Sequence, residues 1–212
     1  MYIPRFFVSD DKALAKQVAG EHAFGMLITP PAVPGDGDMD ISHLPMLWIE
    51  GGGEHGRLIG HVAKANPHGA RFEGRSASVA IFSGPHAYIS PNWYANEALV
   101  PTWNYAAVHL HGAPKAVVDD AGAIGILDTL VETFENDATG NWSTARLPDG
   151  VLGRQIKGIV AFEMPVTRIE CKLKMSQNRS PDDIAGVVGA LDKSENQDDV
   201  QTAKMMRALN AG

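Results

Sequence analysis

The stretch IFSGPHAYISPNWYANEALVPTWNYAAVHLH, residues 81–111, sets the character of this chain. It holds two of the four Trp, Trp93 and Trp103, and three of the four Tyr, Tyr88, Tyr94 and Tyr105. It carries one carboxylate, Glu97, and no Lys or Arg. Trp and Tyr join a large apolar body to a polar tip. They suit a surface that is dry in use yet must still hydrogen-bond, such as a subunit interface or a slot for a flat ligand. A barrel core with satisfied polar tips is the competing reading.

Short strands surround this stretch. FGMLIT (24–29), HLPMLWIE (43–50), RLIGHVA (57–63) and SASVAIFS (76–83) precede it or lead into it. WNYAAVHLHG (103–112) is the next strand. GIVAFEMPVTRIE (158–170) with CKLKMS (171–176) gives one long strand or two, with an edge, bulge or bend at Pro165. The segment PPAVPGDGDMD (30–40) is a loop, GGGEHG (51–56) a turn in which glycine permits positive φ, and KANPHGARFEG (64–74) a connector with a short helix before Pro67. Strands this short and this closely spaced indicate a closed or partly open barrel rather than βαβ units.

Helices flank the strands. Ser9 or Asp10 caps a first helix that buries Leu14 and Val18. A second, at about 121–136, buries Ile124, Leu127, Val131 and Phe134. SPDDIAGVVGALDK (180–193) has a Ser cap, Pro at the first helical position and two Asp against the positive dipole end. Its buried stripe is Ile184, Val187, Val188 and Leu191. A last helix spans 197–210 with Val200, Met205, Met206 and Leu209. The fold class is thus mainly β with flanking α: a barrel over residues 1–179 and a C-terminal helical extension over 180–212.

Bulk properties exclude several classes. The 212 residues suffice for one large domain, and 44% hydrophobic with 20% charged residues is ordinary for a globular protein. No apolar run is long enough to cross a bilayer, and the N-terminus MYIPRFFVSDD lacks a signal-peptide pattern, so a cytoplasmic protein without membrane association is expected. The single Cys171 excludes an intramolecular disulfide framework and a multi-Cys metal site. The net charge of −7 argues against general coating of DNA. Charge is uneven, however. Residues 154–179 carry six basic side chains against Glu163 and Glu170, either an anion site or a solvated Lys-rich edge.

Two motifs could hold an anion. In CKLKMSQN (171–178), strand alternation puts Lys172, Lys174 and Ser176 on one face and Cys171, Leu173 and Met175 on the other. Two ammonium groups and a hydroxyl in a row suit a phosphate, and the amides of Gln177 and Asn178 suit ring carbonyls or nitrogens. In GHVAKANP (60–67), His61 and Ala63 share one strand face, and Lys64 and Asn66 follow where the strand gives way to a turn. His109 and His111 share a face as well and could ligate a metal. No third ligand stands near them in sequence, so hydrogen bonding is the preferred reading and no metal is assigned. HExxH, GxSxG, Walker and GxGxxG patterns are absent. Cys171 reads as a buried, inert thiol.

Taken in order, MYIPRFF, HLPMLW, GHVAKANPH, IFSGPHAYISPNWY, VPTWNYAAVHLHG and KLKMSQNR resemble the PaiB family of FMN-binding negative transcriptional regulators. The resemblance covers nearly all of residues 1–191. It implies the FMN-binding split β-barrel related to pyridoxamine-phosphate oxidases and to a haem-degrading group, usually a homodimer with flavin bound between subunits. It further implies that His61, Ala63 and Lys64, with Asn66 beyond them, contact phosphate and ribityl. Thr29 and Leu44 would line the isoalloxazine region, and Thr102 and Trp103 would approach the ring or the partner subunit. Lys174, Ser176, Gln177 and Asn178 match the family's late segment near the site. Cys171 and Met175 depart from the usual Gly and Leu, on the apolar face. Loop 30–40 differs too and would alter ring access. The expected function is that of a flavin-dependent regulator or oxidoreductase. The alternatives are a repressor acting directly on DNA and a haem-binding or haem-degrading protein using His61, His109 or His111.

Overall fold

The computed structural model describes residues 1–31 and 37–210, so residues 32–36 of the loop expected at 30–40 lie outside the described residues. In chain order the elements are α1 (Lys12–Glu21), β1 (Phe24–Thr29), β2 (Asp40–Ile49), β3 (Arg57–Ala63), β4 (Ser78–Ile89), β5 (Thr102–Gly112), β6 (Lys115–Ala116), α2 (Asp120–Phe134), α3 (Val151–Gln155), β7 (Ile159–Lys174), α4 (Pro181–Leu191) and α5 (Gln197–Leu209). The strands form one sheet in the order β3-β2-β1-β4-β5-β7-β6, and β3 also pairs with β7. The sheet therefore returns on itself at β3, which is what closes a barrel. The chain divides into two compact units. The first comprises Met1–His22, Ser83–His109 and Glu170–Gly212, and the second Ala23–Phe82 and Leu110–Ile169.

In the second unit, β1 and β2 pair antiparallel with Phe24 opposite Pro45 and Thr29 opposite Asp40. Residue alternation sends Gly25, Leu27 and Thr29 inward from β1, and Ser42, Leu44 and Met46 inward from β2. The turn between β2 and β3 contains Gly51, Gly52 and Gly56, all at positive φ as expected of that glycine run. A Cβ on Gly56 would sit 2.4 Å from the carbonyl of Ile49, so the turn tolerates no side chain there. β3 is paired along both edges, to β2 (Met46 opposite Gly60) and to β7 (His61 opposite Ala161). A core of Leu47, Ile59 and Ala161 is capped by Ala123, Ile126 and Leu130 of α2.

The buried stripe of α2 differs in phase from the expectation. Ala123, Ile126 and Leu130 are buried, whereas Phe134 is exposed. Apolar residues ring this helix, so periodicity alone left the phase open. The helix expected before Pro67 instead follows it. Pro67–Arg71 form a 3-10 turn with Asn66 as cap, because proline disfavours helix at the residue before it and suits the first helical position.

In the first unit, Asp11 rather than Ser9 or Asp10 caps α1. Its carboxylate accepts from Ala13 N at 2.9 Å and Leu14 N at 3.1 Å. Ser180 caps α4 as expected, and Pro181 occupies the first position. The stripe of α4 is narrower than expected: Val187 and Leu191 are buried, Ile184 and Val188 only partly. Asp183, expected merely to oppose the dipole, is buried. It accepts from Ser180 Oγ at 2.7 Å and from Asn96 N at 3.0 Å, and these bonds hold its carboxyl below the usual range. β4 runs on through Gly84 and Pro85 to Ile89, beyond the expected end at residue 83. Residues 159–174 form one strand with Pro165 inside it, resolving the choice between one strand and two.

Two measurable consequences follow from this packing. A Cβ at Gly186 of α4 would lie 2.1 Å from the carbonyl oxygen of Trp93, backbone that cannot rotate away. Gly186→Ala should therefore destabilise the protein by about 1–3 kcal/mol despite the better helix propensity of alanine, read as a lower denaturant midpoint. Cys171 is buried, and burial, with Asp11 nearby, raises its thiol to about 11. It should resist a disulfide reagent at pH 8 in the native state and react once denatured. Rapid native labelling would contradict this placement.

Candidate functional site

The expected site residues fall into two groups, one in each unit. In the second unit they are Thr29, Leu44, His61, Ala63, Lys64 and Asn66. Thr29 and Leu44 are buried on the inward faces of β1 and β2. His61 is half-buried near the end of β3, while Ala63 and Lys64 are exposed. The turn after the strand is held by its backbone: Lys64 N donates to Gly158 O at 2.7 Å and Asn66 N to Ala63 O at 2.9 Å. The Lys64 ammonium has no ion-pair partner among the described residues. His61 Nδ1 is buried without a hydrogen-bond partner among the described residues, and burial lowers the pKa of the ring. An orphaned buried nitrogen is uncommon and costs about 1–3 kcal/mol.

Thr29 and Asn66 belong to a buried polar network in this unit. Thr29 Oγ1 lies 2.8 Å from Ser78 Oγ and 2.8 Å from His68 Nε2. His68 Nδ1 is 2.9 Å from Ser42 Oγ, and Asn66 Nδ2 donates to Ser42 Oγ at 3.1 Å. Asn66 Oδ1 accepts His68 N at 3.0 Å. The direction of every bond can be worked out. Ser78 donates its one hydrogen to the Ser76 carbonyl at 3.1 Å, so Thr29 must donate to Ser78. With the Thr29 hydrogen spent, His68 must donate from Nε2. Its Nδ1 then accepts from Ser42. His68 is thereby fixed as the neutral Nε2–H tautomer. Its pKa lies below the ordinary value, with burial the main cause and Arg71 adding to it, while Asp40 opposes. Phe72 packs on the ring at 5.2 Å.

The sequence reading missed His68, Ser42 and Ser78 as members of this constellation. The available signal was polar residues at inward strand positions, each of which must find a partner inside the barrel.

In the first unit the expected residues are Thr102, Trp103, Lys174, Ser176, Gln177 and Asn178. Here the anion-cradle expectation meets a different arrangement. Lys172 is 7% exposed, donates to Tyr2 O at 3.0 Å and lies over the Tyr105 ring at 5.0 Å. Lys174 donates to Thr102 Oγ1 and to Trp103 O, both at 2.5 Å. Burial, then Lys172 and Arg179, lower the pKa of Lys174. Its ammonium thus ties down the start of β5 and keeps one N–H to spare. Ser176 sits at positive φ and accepts from Asn104 Nδ2 at 2.9 Å. Gln177 closes the strand end, accepting Met175 N at 2.8 Å and donating to Leu173 O. Asn178 is exposed. The solvated-edge alternative does not describe Lys172 either, since that side chain is enclosed.

The aromatic stretch also resolves in this unit. Trp103 is 53% exposed and Tyr88 47%, so neither is core. Their rings meet edge-on at 5.9 Å, and the His86 ring lies 6.2 Å from Trp103. Tyr94 is buried, with the Arg179 guanidinium over its ring at 5.5 Å. His109 Nδ1 is 3.7 Å from Glu170, while in the second unit Arg168 donates to His111 Nδ1 at 3.0 Å.

Comparison with known proteins places this geometry. Residues 1–168 match the model of a family described as "Putative FMN-binding domain". The chain is 34% identical over 206 residues to the Bacillus subtilis "Protease synthase and sporulation protein PAI 2", covering 97% of this chain and 96% of that protein. Among solved structures it resembles the flavocytochrome Anf3 of Azotobacter vinelandii, with a TM-score of 0.61 and 15% identity over 87% of this chain and 78% of that one. An FAD- and haem-binding protein of Mycobacterium smegmatis gives the same TM-score and identity over 84% of this chain and 78% of its own. At that identity the structural likeness establishes the barrel fold. The closed antiparallel sheet, the family match along most of the chain and the end-to-end relative agree: the chain belongs to the PaiB family of FMN-binding split-barrel proteins, and FMN is the cofactor that membership assigns to it.

Proposed function

We propose that this protein is a homodimeric FMN flavoprotein with an oxidoreductase role. The observation that carries the reading is the end of β3. Among the described residues, the exposed Lys64 ammonium beside a tightly held turn has no ion-pair partner, and His61 presents a buried nitrogen that lacks a hydrogen-bond partner. A phosphate dianion satisfies the first group, and a ribityl hydroxyl the second. Ala63, exposed and small, leaves the backbone open to close approach. In the first unit, Trp103 and Tyr88 are exposed, each with an apolar face and a polar edge, and the Lys174 ammonium holds the start of β5 through Thr102 and Trp103. When bound, the flavin supplies the redox chemistry, and the protein supplies position and electrostatics.

Dimerisation is supported by the outward face of the β1–β2–β4 sheet. Ile41, Ile28 and Val79 align across three strands, as do His43, Met26 and Ile81. Phe24 is 70% exposed and Ile41 57%. A contiguous apolar sheet face of this kind marks an interaction surface. Direct action on DNA has less support, because the first turns of α4 and α5 carry Asp182, Asp198 and Asp199, which repel phosphates. Of the candidate haem ligands, His109 and His111 are engaged by Glu170 and Arg168, while His61 keeps a buried nitrogen with no partner among the described residues. No helix among the described residues is long and apolar enough to cross a membrane.

Two experiments test the proposal. Titration of the purified protein with FMN should give a perturbed flavin spectrum. Lys64→Ala should weaken FMN about tenfold, roughly 1.4 kcal/mol, while leaving riboflavin affinity unchanged. Absence of FMN binding at micromolar protein would sink the reading. Ile41→Glu should convert the dimer to a folded monomer in sedimentation; a wild-type protein that sediments as a monomer would remove the homodimer.

A further inference from the structure

We propose that His68 is a positioning residue that makes cofactor affinity pH-dependent by locking the Lys64–Asn66 turn only while its ring is neutral. This rests on the reading of that turn as the FMN phosphate anchor. His68 itself is buried, with both ring nitrogens bonded to Ser42 and Thr29. It acts through Ser42 and Asn66. The neutral ring accepts the Ser42 hydrogen at Nδ1, which turns the Ser42 lone pair toward Asn66 Nδ2. The Asn66 amide is thereby oriented with Oδ1 toward His68 N, capping the 3-10 turn. The same residue closes the turn through Asn66 N to Ala63 O, with Lys64 between them.

A proton taken up from solvent at Nδ1 breaks this arrangement. Nδ1–H then becomes a donor and must point at Ser42 Oγ, which was donating to it. Ser42 must reorient its own hydrogen, and no second acceptor for it stands within hydrogen-bond reach among the described residues. The accessible outcome is loss of the Asn66–Ser42 bond, since Asn66 is only half-buried and can turn to water. The other side of the ring cannot compensate. Nε2–H already donates to Thr29, whose hydrogen is committed to Ser78. Two charged groups bear on the ring. Asp40 of β2 favours the proton, and Arg71 of the 3-10 turn, itself paired with Asp40 at 3.7 Å, disfavours it. Thr29 of β1, Ser42 of β2 and Ser78 of β4 bring no charge, nor does Phe72.

FMN binds best to the neutral form, so affinity is complete at pH 6.5 and above and falls only as pH drops through the ring's own value, which burial holds below the ordinary one. The test combines two readouts. Imidazole nitrogen NMR of the cofactor-free wild type should show the Nε2–H tautomer for His68. FMN titration from pH 8 to pH 5 should show about a tenfold loss of affinity in the wild type. In His68→Asn, which keeps an acceptor for Ser42 but cannot titrate, that loss should be smaller by the His68 contribution. Protonation of the FMN phosphate affects both proteins alike and cancels in the difference. His68→Leu, which removes both contacts, should weaken FMN at every pH without a His68-dependent step. An Nδ1–H tautomer, or identical pH profiles for wild type and His68→Asn, overturns the inference while FMN binding itself stands. Wild type that binds no FMN at any pH overturns both this inference and the function on which it rests.

Discussion

Pairing of β3 along both of its edges is the constraint on which the second unit depends. β7 pairs with this strand along Arg57–Ala63 and β2 along Arg57–Gly60, so the sheet can return on itself. The consequence is local as well as global. Gly60 sits with the Phe162 ring 3.1 Å from where its Cβ would be, so the strand is pressed closely against its neighbour. His61 is half-buried as a result, and the chain beyond Ala63 must leave the sheet in a turn whose first amide is captured by Gly158. A cation placed on that turn is held by main-chain bonds rather than by its own side chain, which leaves the ammonium available.

Within the barrel a second constraint operates. Thr29, Ser42 and Ser78 project inward and are buried. A buried hydroxyl without a partner costs more than a typical hydrogen bond returns. His68, carried in by the 3-10 turn, meets the need because one neutral imidazole is both donor and acceptor. The single hydrogen on each hydroxyl then sets the direction of the whole chain from Asn66 to the Ser76 carbonyl. Core polarity and the conformation of an exposed turn are coupled in this way, through one ring.

The first unit solves the problem of buried charge differently. Lys172 is enclosed by Tyr2 and Tyr105 and uses the Tyr2 carbonyl, while Lys174 spends two N–H groups on the start of β5. Two lysines on one strand face, which in isolation suggest an open anion cradle, instead tie the N-terminus and β5 to the end of β7. Asp183 plays the corresponding role for α4, reaching Asn96 as well as its own cap.

The strands and the cap of α4 were legible along the chain, because alternation and Ser-Pro-Asp-Asp at a helix start are local patterns with local physical causes. FGMLIT and RLIGHVA occupy β1 and β3 with the expected limits, and Ser180 caps α4. The order of motifs from MYIPRFF to KLKMSQNR likewise carried the family without coordinates. Tertiary structure alone decided what depends on distant residues. The phase of α2 was open because apolar side chains ring it. The fate of Lys172 and Lys174 was open because their partners lie about 70 to 170 positions away. Most of all, His68 stood in the sequence as one imidazole among eight. Only the fold brings hydroxyls from three strands around it, and hydrogen-bond direction is a property of that enclosure rather than of any residue in it.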